Sequence, residues 1–139
     1  MNPINVLMSL EKEISGGDLA KAAQYLAEDF KFVGVGPEAF GKDQSLGVWA
    51  TLRAALPDFN HNLRNLREAG SMVYATVEVT GTHTGTLAIP HGPTLPATGR
   101  RVQNPLERIA ITTRNGKVTQ WAVETVPGGG LSGLIGQLS

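Results

Sequence analysis

Two glutamates and two histidines stand in otherwise apolar strand-like runs, and each could move a proton. Glu124 follows Trp121, Ala122 and Val123 and precedes the glycine run "PGGG". It is either a carboxylate held in a pocket for proton transfer or the last solvated residue before a loop. His83 lies on the apolar side of "MVYATVEVTGTHTGTL", between Gly81 and Gly85, which leave space beside its ring. There it would hydrogen-bond a substrate carbonyl or shuttle a proton, or else pack against a backbone or threonine partner. Glu107 shares parity with Ile109 and Ile111, so it falls with the apolar set and Arg108 opposite. An inward Glu107 needs a partner such as His83 or an arginine, since an unpaired buried carboxylate is costly. A salt bridge on the surface is the alternative. His61 alternates with Phe59 and Leu63 and is expected inward. Trp49 and Trp121 are expected as walls of a pocket or as ordinary core.

Other chemistries are excluded by residue type and spacing. Without cysteine there is no disulfide, thiolate nucleophile or cysteine metal site. The histidines at 61, 83 and 91 lack ligand spacing, and His91 falls in a proline-rich stretch, so no metal is expected. No lysine follows the glycine run, and neither a dinucleotide fingerprint nor a serine-histidine-acid signature is present. No cofactor is expected. Twelve basic residues balance twelve acidic ones, which gives no net field for nucleic acid or an anionic membrane. "MNPINVLMSLEKEI" lacks the basic flank and apolar core of a signal peptide, and no apolar run approaches membrane-span length. A cytoplasmic protein is the expectation.

These residues need elements to hold them. At 139 residues, 41% hydrophobic and 17% charged, the chain can bury a core, and residues 1–139 read as one α+β domain. Three helices are expected first. "INVLMSLEKEI" places Ile4, Leu7, Leu10 and Ile14 on one face, ended by Gly16-Gly17. "LAKAAQYLAEDF", capped by Asp18, carries Leu19, Ala22, Ala23, Leu26 and Phe30. A third helix, capped by Asp43 or Ser45 and stopped by Pro57, turns Leu46, Trp49, Leu52 and Leu56 inward. From Phe59 the period becomes two. Strands are expected over "FNHNLRNL", over a long "MVYATVEVTGTHTGTL" with Thr76 to Thr86 on its polar face, over "RRVQNPLERIAITT", and over "VTQWAVETV". "RNGK" is a hairpin turn, and "AIPHGPTLPATG" is a loop. The tail places Leu131, Leu134, Ile135 and Leu138 on one helical face.

Helices followed by long antiparallel strands resemble the nuclear transport factor 2-like fold. "LAEDFKFVGVGPEAFGKDQSLGVWATLRAALPDF", "VTGTHTGTL", "PATGRRV", "TRNGKVTQWAV" and "GLIGQLS", in that order, resemble its SnoaL-like polyketide cyclase and ester cyclase branch. The resemblance implies a cone of curved, mainly antiparallel sheet closed by helices, an internal pocket, and a homodimer packed through the outer sheet face. It also implies an aspartate a few residues after the last-strand tryptophan, acting as general acid/base beside a carbonyl. Counted from Trp121, that aspartate falls on Thr125, so Glu124 is one residue out of phase. A bulge between Trp121 and Pro127 would turn Glu124 inward, and a regular strand would turn it out. Two functions follow. One is a cofactor-free cyclase or isomerase on a small, largely apolar carbonyl compound, with Glu124 as acid/base, His83 or Glu107 polarising, and Trp49, His61 and Trp121 as walls. The other is a module that binds a small molecule, or dimerises, without chemistry.

Overall fold

The computed structural model describes residues 2–90 and 92–139, so His91 lies outside the described residues. Helix α1 runs Pro3–Gly16. The Asn2 side chain caps it by accepting from the Asn5 N–H at 2.9 Å, and Gly17 leaves it in the left-handed conformation. Leu7, Leu10 and Ile14 are buried along its inner face, as the spacing predicts.

The second helix is shorter than expected. Helix α2 covers only Leu19–Ala23, and Leu26–Val33 is strand β1. Leu26 and Phe30 are four residues apart, a spacing that fits an inward face at either period. Tertiary pairing decides between them, because β1 runs parallel to the last strand and completes that edge of the sheet. Helix α3, Lys42–Ala55, starts from Gly41 rather than from Asp43 or Ser45. Asp43 lies in its first turn, where a negative charge suits the helix dipole. Ser45 is buried and donates back to the Gly41 carbonyl at 2.7 Å.

Strands β2 (Arg64–Ala69), β3 (Met72–Val77), β4 (Thr80–Thr82), β5 (Leu87–Ala88), β6 (Thr94–Leu95), β7 (Arg101–Gln103), β8 (Glu107–Arg114) and β9 (Lys117–Glu124) follow, then helix α4, Gly130–Leu138. The main sheet has the order β1-β9-β8-β3-β2 and is antiparallel except for β1 against β9. Asn115 and Gly116 both take positive φ in the β8–β9 turn, as the Asn-Gly pair predicts. The expected long strand over 72–87 is broken. After Val77 the chain changes partners, and β4 pairs with β7 away from the main sheet. The threonines therefore share no single face. Thr80 is buried, whereas Thr84 and Thr86 are exposed. Within the curve of the sheet, α1, α3 and the inner faces of β3, β8 and β9 enclose one core. No helix among the described residues is long and apolar enough to cross a membrane.

Asp58 ties the end of α3 to β4. Its carboxylate accepts from the Thr82 N–H at 2.6 Å and the Thr82 hydroxyl at 2.8 Å. The Thr82 backbone N–H, aided by that hydroxyl, holds the Asp58 carboxyl below its ordinary value. Because the folded value lies below the unfolded one, this stability is complete above about pH 4. It is lost as pH falls through the lowered folded value. Asp58→Asn is thus expected to lower Tm at pH 7 and to narrow its gap from wild type in thermal melts near pH 3. A constant gap would contradict the contact's contribution.

Candidate functional site

Pro57 ends α3, and the next residues enter the core before the sheet becomes regular. Phe59 and His61 are buried, His61 with 5% of its surface exposed. Asn60 exchanges both backbone hydrogen bonds with Thr80, at 3.1 Å each. His61 then meets Glu11, which α1 carries inward. Its Nδ1 lies 2.6 Å from Glu11 Oε2, and its backbone N–H donates to Glu11 Oε1 at 3.4 Å. A carboxylate facing two nitrogens of one residue accepts from both, so the ring proton sits on Nδ1. Nε2 is left with a lone pair. Phe59 stands edge-on to the imidazole at 4.9 Å between centroids, and Trp121 lies across it at 5.0 Å.

Trp121 extends this cluster. It stacks on Phe32 at 5.6 Å and 14° and meets Trp49 at 5.8 Å, tilted by 60°. The geometry is an imidazole oriented by a buried carboxyl group and walled by aromatic rings. Such an arrangement removes a proton from a weak carbon acid and stabilises the imidazolium that results. Among the described residues no group of three His, Asp or Glu side chains converges on a metal position.

Of the residues expected at a site, His61, Trp49 and Trp121 come together. The others are separated from them. The β8–β9 register is regular from Thr112↔Gln120 through Arg108↔Glu124, so no bulge follows Trp121 within β9. The shift in that pair lies earlier, next to the hairpin. Glu124 therefore faces outward, exposed, and is not the interior carboxylate that a bulge would have made it. Thr125, one residue on, is exposed and donates its hydroxyl to the Gly34 carbonyl.

Glu107 is buried as its parity predicts, but its partner is neither His83 nor an arginine. Its Oε2 accepts from the Val126 N–H at 3.0 Å and so anchors the β9–α4 connection. Gly129 lies so close that a Cβ there would collide with this carboxylate. His83 is fully buried and holds the 98–100 turn. Its carbonyl accepts from the Thr98 and Gly99 N–H groups, and its N–H donates to Arg100 O. Its Nδ1 lies 2.9 Å from Thr98 Oγ1, and the Thr98 N–H also donates to it at 3.3 Å. Its Nε2 is sealed and unpartnered.

Sequence reasoning missed Glu11. A signal was present, because Leu7, Leu10, Glu11 and Ile14 follow the i, i+3, i+4, i+7 rule and put Glu11 on the buried stripe. An acidic residue at a core position of a helix calls for a partner. The partner lies 50 residues away in sequence, so only the fold discloses it.

A family model described as a SnoaL-like domain matches residues 9–121. No curated protein matches the chain in sequence. Among solved structures it is similar to a proposed SnoaL-like polyketide cyclase from Jannaschia sp. CCS1, with TM-score 0.75 and 18% identity over 99% of this chain and 91% of that one. A proposed polyketide cyclase from Acidithiobacillus ferrooxidans gives TM-score 0.69 and 22% identity over 98% and 93%. A hypothetical protein with a ketosteroid isomerase-like fold from Catenulispora acidiphila, in complex with trimethylamine, gives TM-score 0.69 and 16% identity over 99% and 94%. At these identities the likeness is one of fold, and activity is argued from the site.

Proposed function

The chain belongs to the SnoaL-like domain family, and from that premise we propose a cofactor-free lyase or isomerase that moves a proton on a small, largely apolar carbonyl compound. His61 is the base, and Glu11 is its orienting counter-charge. The observation that carries this reading is the buried 2.6 Å contact between them. An ionisable pair gives a core no more stability than apolar side chains of the same volume would. Its presence between aromatic walls supports a chemical use.

In the proposed step, Nε2 takes the proton from the carbon beside the substrate carbonyl. The C–H electron pair passes into the enolate, and the same N–H later returns its proton to a carbon or oxygen of the product. Glu11 stabilises the imidazolium without taking the proton. Phe59, Trp49 and Trp121 supply apolar walls, and the exclusion of water there strengthens the Glu11–imidazolium attraction. Glu124 takes no part.

The test uses wild-type protein in D2O with a panel of aryl ketones and 1,3-diketones, following loss of the α-proton signal by NMR. Exchange of at least one compound above the buffer rate is expected. Compounds that quench tryptophan fluorescence on binding but exchange no faster than in buffer would overturn the enzyme reading in favour of a non-catalytic binding module.

We also propose that a second copy of the chain packs on the outer face of β2, β3, β8 and β9. A concavity of about 560 Å³ there is lined by Arg67, Tyr74, Arg108, Ala122 and Glu124, among others. Arg67 lies over the Tyr74 ring at 5.3 Å. Mixed charges around small residues can complement themselves across a twofold axis. Sedimentation at micromolar concentration is expected to give a dimer mass, and a monomer mass would remove this reading.

A further inference from the structure

His61 lies between an isolated bridge at Asn60 and the start of β2 at Arg64. Asn60 and Thr80 form a reciprocal hydrogen-bonded pair. In a regular antiparallel ladder the next such pair, two residues along each strand, would join Asn62 to Glu78. That pair is absent. The Glu78 N–H donates instead to the His61 carbonyl at 2.8 Å. The Glu78 carbonyl accepts from the Asn62 side chain, with Nδ2 at 2.7 Å, rather than from the Asn62 backbone. The same Nδ2 reaches Thr80 Oγ1 at 2.9 Å, and the Asn62 N–H turns back to Asn60 Oδ1 at 2.8 Å.

Asn62 adopts φ 51, a left-handed conformation that asparagine tolerates better than most side chains. The chain leaves ladder geometry here without a change of register, since Asn60↔Thr80 and Arg64↔Thr76 remain in phase, and a side-chain amide takes over the work of a backbone donor. Here the His61 carbonyl turns toward Glu78, while its N–H and its ring both turn toward Glu11.

From this we infer that Asn62 is a positioning residue for His61: its left-handed backbone and side-chain amide fix the local turn that sets the imidazole on Glu11. The inference rests on the reading of His61 as the base. Asn62 touches no substrate and acts only through its neighbour. Glycine at this position would keep the backbone conformation and remove the amide. Aspartate would keep the side-chain shape and tolerate the left-handed backbone but could not donate to the Glu78 carbonyl or to Thr80.

The experiment is NMR of histidine labelled with ¹⁵N in the ring, on wild-type protein, Asn62→Gly and Asn62→Asp. Wild-type His61 is expected as a single tautomer with a low-field Nδ1–H proton bonded to Glu11. In both variants that proton is expected to broaden or vanish, with mixed ring tautomers, and α-proton exchange is expected to fall about 10- to 100-fold. If Asn62→Gly does not fold, Asn62→Asp decides by the same signals. An unchanged tautomer and low-field proton in a folded variant would overturn the inference. The ring signals need no substrate, so their loss supports the positioning role even where wild-type protein exchanges no compound. That second result would instead overturn His61 as a base.

Discussion

Replacing His61 with leucine is expected to destabilise the fold by about 3–5 kcal/mol, because it strips a buried carboxylate of its partner. Glu11→Leu is expected to cost less, about 1–3 kcal/mol, since what remains is a neutral imidazole with one unmatched N–H. Both side chains are nearly closed to solvent, with 7% and 9% of their surfaces exposed, so water can compensate little for the missing partner. Combining the two changes removes both polar groups, and the double variant is expected to recover most of the loss. Urea titrations of the four proteins at pH 7 give the cycle. Two single effects that simply add would show that the contact carries no coupling.

The second large effect is on chemistry. His61→Gln keeps a polar side chain of similar reach but carries no lone pair basic enough to take a carbon-bound proton. Its exchange rate is expected to fall about 10²- to 10⁴-fold, the range that a positioned general base contributes. Glu11→Gln is expected to do nearly as much harm without touching the base. A glutamine amide can donate to Nδ1 and drive the ring proton onto Nε2, which blocks the lone pair that must work. The two losses should not multiply in the double variant, because each removes the same lone pair. An exchange rate in Glu11→Gln equal to wild type would detach Glu11 from the mechanism.

Local periodicity reveals much of this fold. The α1 stripe, the Asn-Gly hairpin and the inward parity of His61, Glu107 and Trp121 all follow from spacing of three, four or two residues. Ambiguity enters where a spacing fits both periods, as it does for Leu26 and Phe30. The pairing of β1 with β9, which joins residues as far apart as Leu26 and Val118, then outweighs local preference. The break after Val77 is similarly hidden, since nothing in "VEVTG" says that β4 will turn to β7.

The candidate site was half visible. His61 and the two tryptophans announce themselves as polar or bulky residues on apolar faces, and the structure puts them in one cluster. Glu11 does not announce itself as a partner, because pairing it with His61 requires knowing that α1 lies against the start of the sheet. Glu124 attracted attention through its neighbours in sequence. Its phase relative to Trp121 is what sends it outward once β9 runs without a bulge.

In the proposed step the proton is taken by His61 inside the core and not by Glu124 on the outer face. The most direct measurement compares α-proton exchange, with the best compound of the ketone panel, in wild type, His61→Gln and Glu124→Gln side by side. Wild-type exchange is expected in Glu124→Gln and loss of at least about 100-fold in His61→Gln. Retained exchange in His61→Gln together with its loss in Glu124→Gln would contradict the proposed step.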